Sequence, residues 1–178
     1  MAIPTQQLAT LVAVSFLLLL PHPSAAQPNH LITETCKKTP DFDLCVSSLS
    51  AAPRAARATT VRELALAMIH VVEAKATTTS LYIKQLAKTA SFRGEEEAAL
   101  KACEFYYGII IDYDVPGAVT EVRYANPKFG VDSMVDSARE AELCEEEFRG
   151  GNKSPLTGLN MAVRRLANVA VAIIKSVH

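Results

Sequence analysis

No excess of either charge marks this chain: eighteen Lys and Arg stand against nineteen Asp and Glu in 178 residues, a net charge of −1. A nucleic-acid binder or a basic membrane-surface protein carries a pronounced positive field, so neither class of partner is expected. Catalytic signatures are missing too. There is no Gly-x-Ser-x-Gly elbow, no His-Glu-x-x-His and no glycine-rich phosphate loop. Histidine is scarce: beyond residue 26 only His30, His70 and His178 are present. With so little acid–base machinery the chain reads as a protein that is not an enzyme and holds no cofactor. His70 lies inside a helical pattern and is read as a surface or half-buried side chain instead of a base. No Cys-x-x-Cys pair or histidine cluster is present, so no metal site is expected. Strand-like alternation and Asn-Gly hairpin turns are absent as well, which points away from a β-sheet protein.

One long apolar run exists. Leu8 to Leu20 is broken only by Thr10 and Ser15, too short for a hydrocarbon layer of ~30 Å. Pro21 and Pro23 end it, and Ser24-Ala25-Ala26 supplies the small residues that a signal peptidase reads. Residues 1–26 are therefore read as a signal peptide cleaved before Gln27, giving a secreted protein with no membrane attachment after cleavage. The later stretch Val163 to Val177 carries Arg164, Arg165 and Lys175 and does not suit a membrane span. The remaining residues 27–178 suffice for one domain with its own core.

Four cysteines follow the leader, Cys36, Cys45, Cys103 and Cys144, and an even number in an oxidising compartment suggests two disulfides. Three connectivities are possible. The short spacing of Cys36 and Cys45, with Pro40 and Asp41 between them, suits a locally closed helical hairpin, leaving Cys103 for Cys144. Both of the latter lie on apolar stripes: Ala99, Cys103, Tyr106 and Ile110 on one helix, and Ala138, Ala141, Cys144 and Phe148 on another. Chain entropy alone assigns about 2.7 kcal/mol to the short loop and about 4 kcal/mol to the long one.

Helical punctuation divides the rest. After the hairpin, from Leu31 to about Leu49, residues 50–58 read as a linker, and Thr60-Val-Arg-Glu63 is a capping box that starts a helix. Val61, Leu64, Met68 and Val72 keep a helical period, Tyr82, Ile83 and Leu86 resume it, and the helix should run to about Ala90 before Gly94. Glu95, Glu96 and Glu97 suit a helix N-terminus, and Leu100, Cys103, Tyr107 and Ile110 continue a second helix that Pro116 must kink or end. A third fits Met134 to Phe148, its Glu145, Glu146 and Glu147 fanning out as a solvated face. Ser154-Pro155 reads as a cap with a first-turn proline opening the fourth, whose Leu159, Val163, Leu166, Ala170, Ile173 and Val177 alternate steps of four and three. The expected fold is all-α: an antiparallel four-helix bundle over residues 59–178, with residues 27–58 forming a helical hairpin and linker. A bundle of this size could instead carry an apolar ligand, with Met68, Met161 and the tyrosines lining a cavity.

These residues together resemble the plant invertase and pectin methylesterase inhibitors. The resemblance spans the chain after the leader. It rests on Cys36-Lys-Lys-Thr-Pro-Asp-Phe-Asp-Leu-Cys45, on Cys103-Glu-Phe-Tyr, on Glu140-Ala-Glu-Leu-Cys144 through Phe148, and on Ser154-Pro-Leu-Thr. It implies a four-helix bundle with an N-terminal hairpin and bridges joining first to second and third to fourth cysteine. Asn126-Pro127-Lys128-Phe129 resembles the Pro-Lys-Phe motif by which the invertase-inhibiting branch enters the sucrose-binding cleft. The resemblance thus implies a secreted inhibitor of acid invertase, in a one-to-one complex in the cell wall or the vacuole, with Pro127, Lys128 and Phe129 as partner-binding residues. Pectin methylesterase is the alternative target. The same tetrapeptide also reads as a plain helix start, with Asn126 as cap, Pro127 in the first turn and Phe129 as packing. Asn152-Lys-Ser154 is a possible glycosylation acceptor followed directly by Pro155.

Overall fold

The computed structural model describes residues 29–89, 92–148 and 153–178. The signal-peptide expectation and Asn152 lie outside the described residues.

Two short helices, α1 (His30–Cys36) and α2 (Phe42–Ala51), form the hairpin. Each begins on a side-chain cap, as short helices must to satisfy their first amides. Asn29 Oδ1 accepts from the Leu31 amide at 2.9 Å, and Asp41 Oδ1 from the Leu44 amide at 3.2 Å. The Cys36–Cys45 disulfide closes the hairpin with a Cα–Cα distance of 5.6 Å. The linker is more structured than its composition implies. Ala55–Arg57 form one 3-10 turn, and Ala55 and Ala58 are buried beneath the hairpin.

Helix α3 (Val61–Thr89) starts as the capping box predicts. Glu63 Oε2 accepts from the Thr59 and Thr60 amides at 2.7 and 3.1 Å, and Thr60 Oγ1 accepts from the Glu63 amide at 3.2 Å. Leu64, Met68, Val72 and Ile83 are buried along it, whereas Tyr82 faces outward. Gly94, with φ of 60°, precedes α4 (Glu95–Ile109) as its N-terminal flanking residue, a conformation that glycine adopts without penalty.

Pro116 neither ends the helix nor removes an interior hydrogen bond. A π turn at Ile110–Asp114 widens the chain, with the Val115 amide donating to the Ile110 carbonyl, and α5 (Val115–Tyr124) begins afresh with Pro116 in its first turn. Helix α6 (Pro127–Glu146) starts well before Met134, and α7 (Thr157–Ile174) starts after the expected cap. There Ser154 Oγ accepts from the Leu156 amide at 3.1 Å, forming a turn that precedes the helix.

Helix α3 packs on α4, α5 and α7, and α6 packs on the same three elements from the opposite side. Four rods result, α3, α4–α5, α6 and α7, arranged as the expected bundle with the hairpin resting on α3 and α7. Met134, Ala141, Val163, Leu166, Ala170 and Ile173 fill the core. The Cys103–Cys144 disulfide joins α4 to α6 within it, with a Cα–Cα distance of 4.6 Å and both cysteines fully buried. Met68 is core and Met161 is exposed, so neither lines a cavity in the way the carrier reading requires.

Glu145 departs from the solvated-face expectation. Its Oε2 accepts from Asn160 Nδ2 at 2.7 Å and its Oε1 from Thr157 Oγ1 at 2.5 Å, while Asn160 Oδ1 accepts from the Tyr107 hydroxyl at 2.8 Å. Tyr107 and Asn160 are both buried, and through the half-buried Glu145 this chain ties α4, α6 and α7 together, its inner pair removed from water. Burial pushes the Tyr107 phenol well above its ordinary range. Among the described residues no helix is long and apolar enough to cross a membrane, and no cluster of His, Cys, Asp and Glu is arranged to hold a metal.

Candidate functional site

The turn between α5 and α6 carries Pro127, Lys128 and Phe129. Asn126 leaves the helical region with φ of −97° and ψ of 114°, and its Oδ1 accepts from the Lys128 amide at 3.0 Å. Pro127 occupies the first helical position, where a missing amide costs nothing, and the Phe129 amide donates to the Asn126 carbonyl at 3.1 Å. The helix-start reading of these residues therefore holds for Asn126 and Pro127. It does not hold for Phe129 as packing: the ring is 59% exposed, and Lys128 beside it is exposed too.

What fixes this outward turn is the residue after it. A Cβ on Gly130 would lie 2.8 Å from Val122 Cγ2 and 3.3 Å from the Ala118 carbonyl oxygen, so only glycine lets α6 approach α5 this closely. The far end of α5 is tied to α3 by Arg62, which donates to the Val122 carbonyl. A rigid, capped corner thus holds a cation and an aromatic ring in solvent.

Two further residues complete the patch. Tyr124 is 77% exposed at the last position of α5, with the Arg123 guanidinium 5.6 Å from its ring centroid. Among the described residues neither Lys128 nor Arg123 has an ion-pair partner. The surface therefore combines two unneutralised cations with two exposed aromatic rings, a composition typical of interface anchors. Tyr124 was legible from its phase: Ala118 and Val122 face the core, and a residue two positions on points away from it.

Other sequence-level candidates sit elsewhere. His70 is half-buried on α3, its Nδ1 2.8 Å from Glu73 Oε2. The cysteines pair as expected and serve the bundle and the hairpin, not the turn.

Residues 30–173 match the family described as plant invertase/pectin methylesterase inhibitor. The chain belongs to this family. It is 40% identical over 146 residues to the cell wall / vacuolar inhibitor of fructosidase 1 of Arabidopsis thaliana, an alignment spanning 82% of this chain and 68% of that protein. Two solved structures share the fold at 14% identity. One is a mutant form of an Arabidopsis pectin methylesterase inhibitor, with a TM-score of 0.71 over 84% of this chain and 99% of that one. The other is a pectin methylesterase inhibitor from Arabidopsis thaliana, with a TM-score of 0.62 over 83% and 95%. Likeness at that identity carries the fold of the inhibitor family and nothing about the target.

Proposed function

We propose that this protein inhibits an acid invertase by seating the Asn126–Phe129 corner in the enzyme's sucrose-binding cleft. The observation that carries the reading is the corner itself, a Lys and a Phe held outward by a cap, a first-turn proline and the Gly130 contact. The relative named for fructosidase inhibition supports the choice of target. Glycosidases of this kind work with a pair of carboxylates, so an inserted Lys128 ammonium gains charge-assisted hydrogen bonds while Phe129 covers apolar sugar-binding surface. Substrate is excluded by occupancy, with no chemistry supplied by the inhibitor. The complex is one-to-one, formed in the cell wall or the vacuole after the leader is removed.

Lys128→Ala tests this. The inhibition constant against acid invertase should rise at least about tenfold, the ~1.4 kcal/mol or more expected of a central contact. The melting temperature should stay unchanged or rise slightly, because a cation at a helix N-terminus is mildly unfavourable. An unchanged inhibition constant would remove the corner from the mechanism, and parallel assays on pectin methylesterase would then decide the target.

A further inference from the structure

A cavity of about 770 Å³ lies where the hairpin meets the bundle, between α2, α3 and α7. Its long wall is one face of α3, from Ala67 through Val71 and Ala74 to Thr78. The eleven steps of helix from Ala67 to Thr78 make that wall about 16 Å long, so the space is elongated. Leu44 of α2 and Leu166 of α7 face it. Alanine methyls on three sides leave the room that larger side chains would fill, and the lining is mainly aliphatic, with Ser48 and Thr78 among it.

The charged groups of the lining share one sign. Arg54, Lys75 and Arg165 border the cavity together with His70, and among the described residues no Asp or Glu does. In a chain of net charge −1 that is a local reversal. The cations are not equivalent. Arg165 is neutralised by Asp41, whose Oδ2 accepts from the guanidinium Nε at 2.9 Å. Lys75 has no ion-pair partner among the described residues, and neither has Arg54. Arg54 also borders a second space of about 230 Å³, which shares Ala67 and His70 with the first and adds Arg57 and Arg123. The single carboxylate there, Glu63, is engaged by the Thr59 and Thr60 amides of the capping box.

We propose that this cavity binds a long-chain aliphatic carboxylate, the chain along the α3 wall and the carboxylate at the Arg54 end. The length and aliphatic lining fit an extended hydrocarbon chain better than a compact polar molecule, and the unneutralised guanidinium fixes the sign of the head group. The binding event uses none of Pro127, Lys128 or Phe129, so it stands or falls apart from the invertase reading.

Titration of the purified protein with cis-parinaric acid, a fluorescent fatty acid, tests the assignment. A saturable one-to-one enhancement is expected, displaced by oleate and at least tenfold less well by oleyl alcohol, which has the chain without the charge. Lysophosphatidic acid, included as a competitor, separates a free fatty acid from a lipid phosphate: the proposal requires oleate to compete at least as well. Arg54→Glu should weaken the probe at least tenfold. Ala74→Phe, at an exposed position on the groove wall, should abolish binding by filling the space while leaving the circular dichroism spectrum and melting temperature in place. Absence of saturable binding, equal displacement by oleate and oleyl alcohol, stronger displacement by the phosphate, or full binding by a folded Ala74→Phe protein would each overturn it.

Discussion

Replacing Tyr107 with Phe removes one oxygen from the middle of the bundle and isolates its consequence. The ring keeps its fully buried site, so packing changes little. What is lost is the hydroxyl that donates to Asn160 Oδ1 at 2.8 Å. Asn160 is itself 3% exposed, and its amide nitrogen stays committed to Glu145 Oε2 at 2.7 Å, so the side chain cannot turn its oxygen toward water. An acceptor stranded in this way costs about 1–3 kcal/mol, more than the net worth of the bond, because desolvation is no longer offset. At roughly 2–4 °C per kcal/mol for a chain of this size, the melting temperature should fall by about 4–8 °C for a 2 kcal/mol loss. Differential scanning calorimetry on Tyr107→Phe, Asn160→Leu and the double variant gives the coupling, expected at 0.5–3 kcal/mol, with the double variant less unstable than the sum of the singles. Strict additivity, or a Tyr107→Phe protein within about 0.5 kcal/mol of the parent, would refute the view that Tyr107 and Asn160 form a coupled, desolvated pair.

Other consequences can be checked alongside. Removing the long bridge with Cys103→Ser and Cys144→Ser together should lower unfolding free energy by about 2–4 kcal/mol in urea titrations, since it frees a loop of 41 residues in the unfolded chain. Gly130→Ala should destabilise by about 1–3 kcal/mol, as the new methyl meets Val122 and the Ala118 carbonyl, and it should weaken invertase inhibition by displacing the corner. Burial, reinforced by Asp136 and Glu140 and opposed by a hydrogen bond from Ser137, pushes Asp114 up to about 6. Because the folded value is raised, the stability that Asp114 contributes is complete below pH about 4 and lost as pH climbs through 6. Chemical denaturation should show a loss of about 2 kcal/mol or less over that window, and Asp114→Asn should flatten it.

How much of this the sequence discloses depends on whether a residue's role is set by periodicity or by its neighbours. The 4-3 stripe of α7 and the Thr60–Glu63 box are local, and both are where the residues alone put them. The π turn is not local in that sense. Between Ile110 and Val115 the buried face slips by one residue, so the period is interrupted just ahead of Pro116 and a continuous rod reads as a broken one. The early start of α6 was legible only from its cap, Asn126 with Pro127 in the first turn; residues 127–133 hold Gly130, Asp132 and Ser133, which carry no apolar stripe until α5 is known to pack on Gly130. Glu145 looked like one of three fanned carboxylates; only the fold brings Asn160 and Thr157 to it. The cavity was invisible for a similar reason, since alanines in a helical pattern read as filler wherever they point. In the candidate site, Lys128 and Phe129 were legible by resemblance and Tyr124 by its phase on α5, but the exposure of the first two, and the company of Arg123, required the packing.

The placement of the first disulfide has a mechanical consequence. Cys36 and Cys45 lock α1 to α2 and to nothing else, so no covalent bond other than the backbone fastens the hairpin to the bundle. Its attachment to the bundle rests on buried Ile32 and Leu49 and on the ion pair from Asp41 to Arg165. The hairpin is therefore a covalently closed unit held on the bundle by packing, with Ala55 and Ala58 of the intervening segment sharing the same core. Where that packing opens, the hairpin should leave as one unit before either part loses its internal order. Amide exchange should then report two protection levels, the lower one shared uniformly by both hairpin helices.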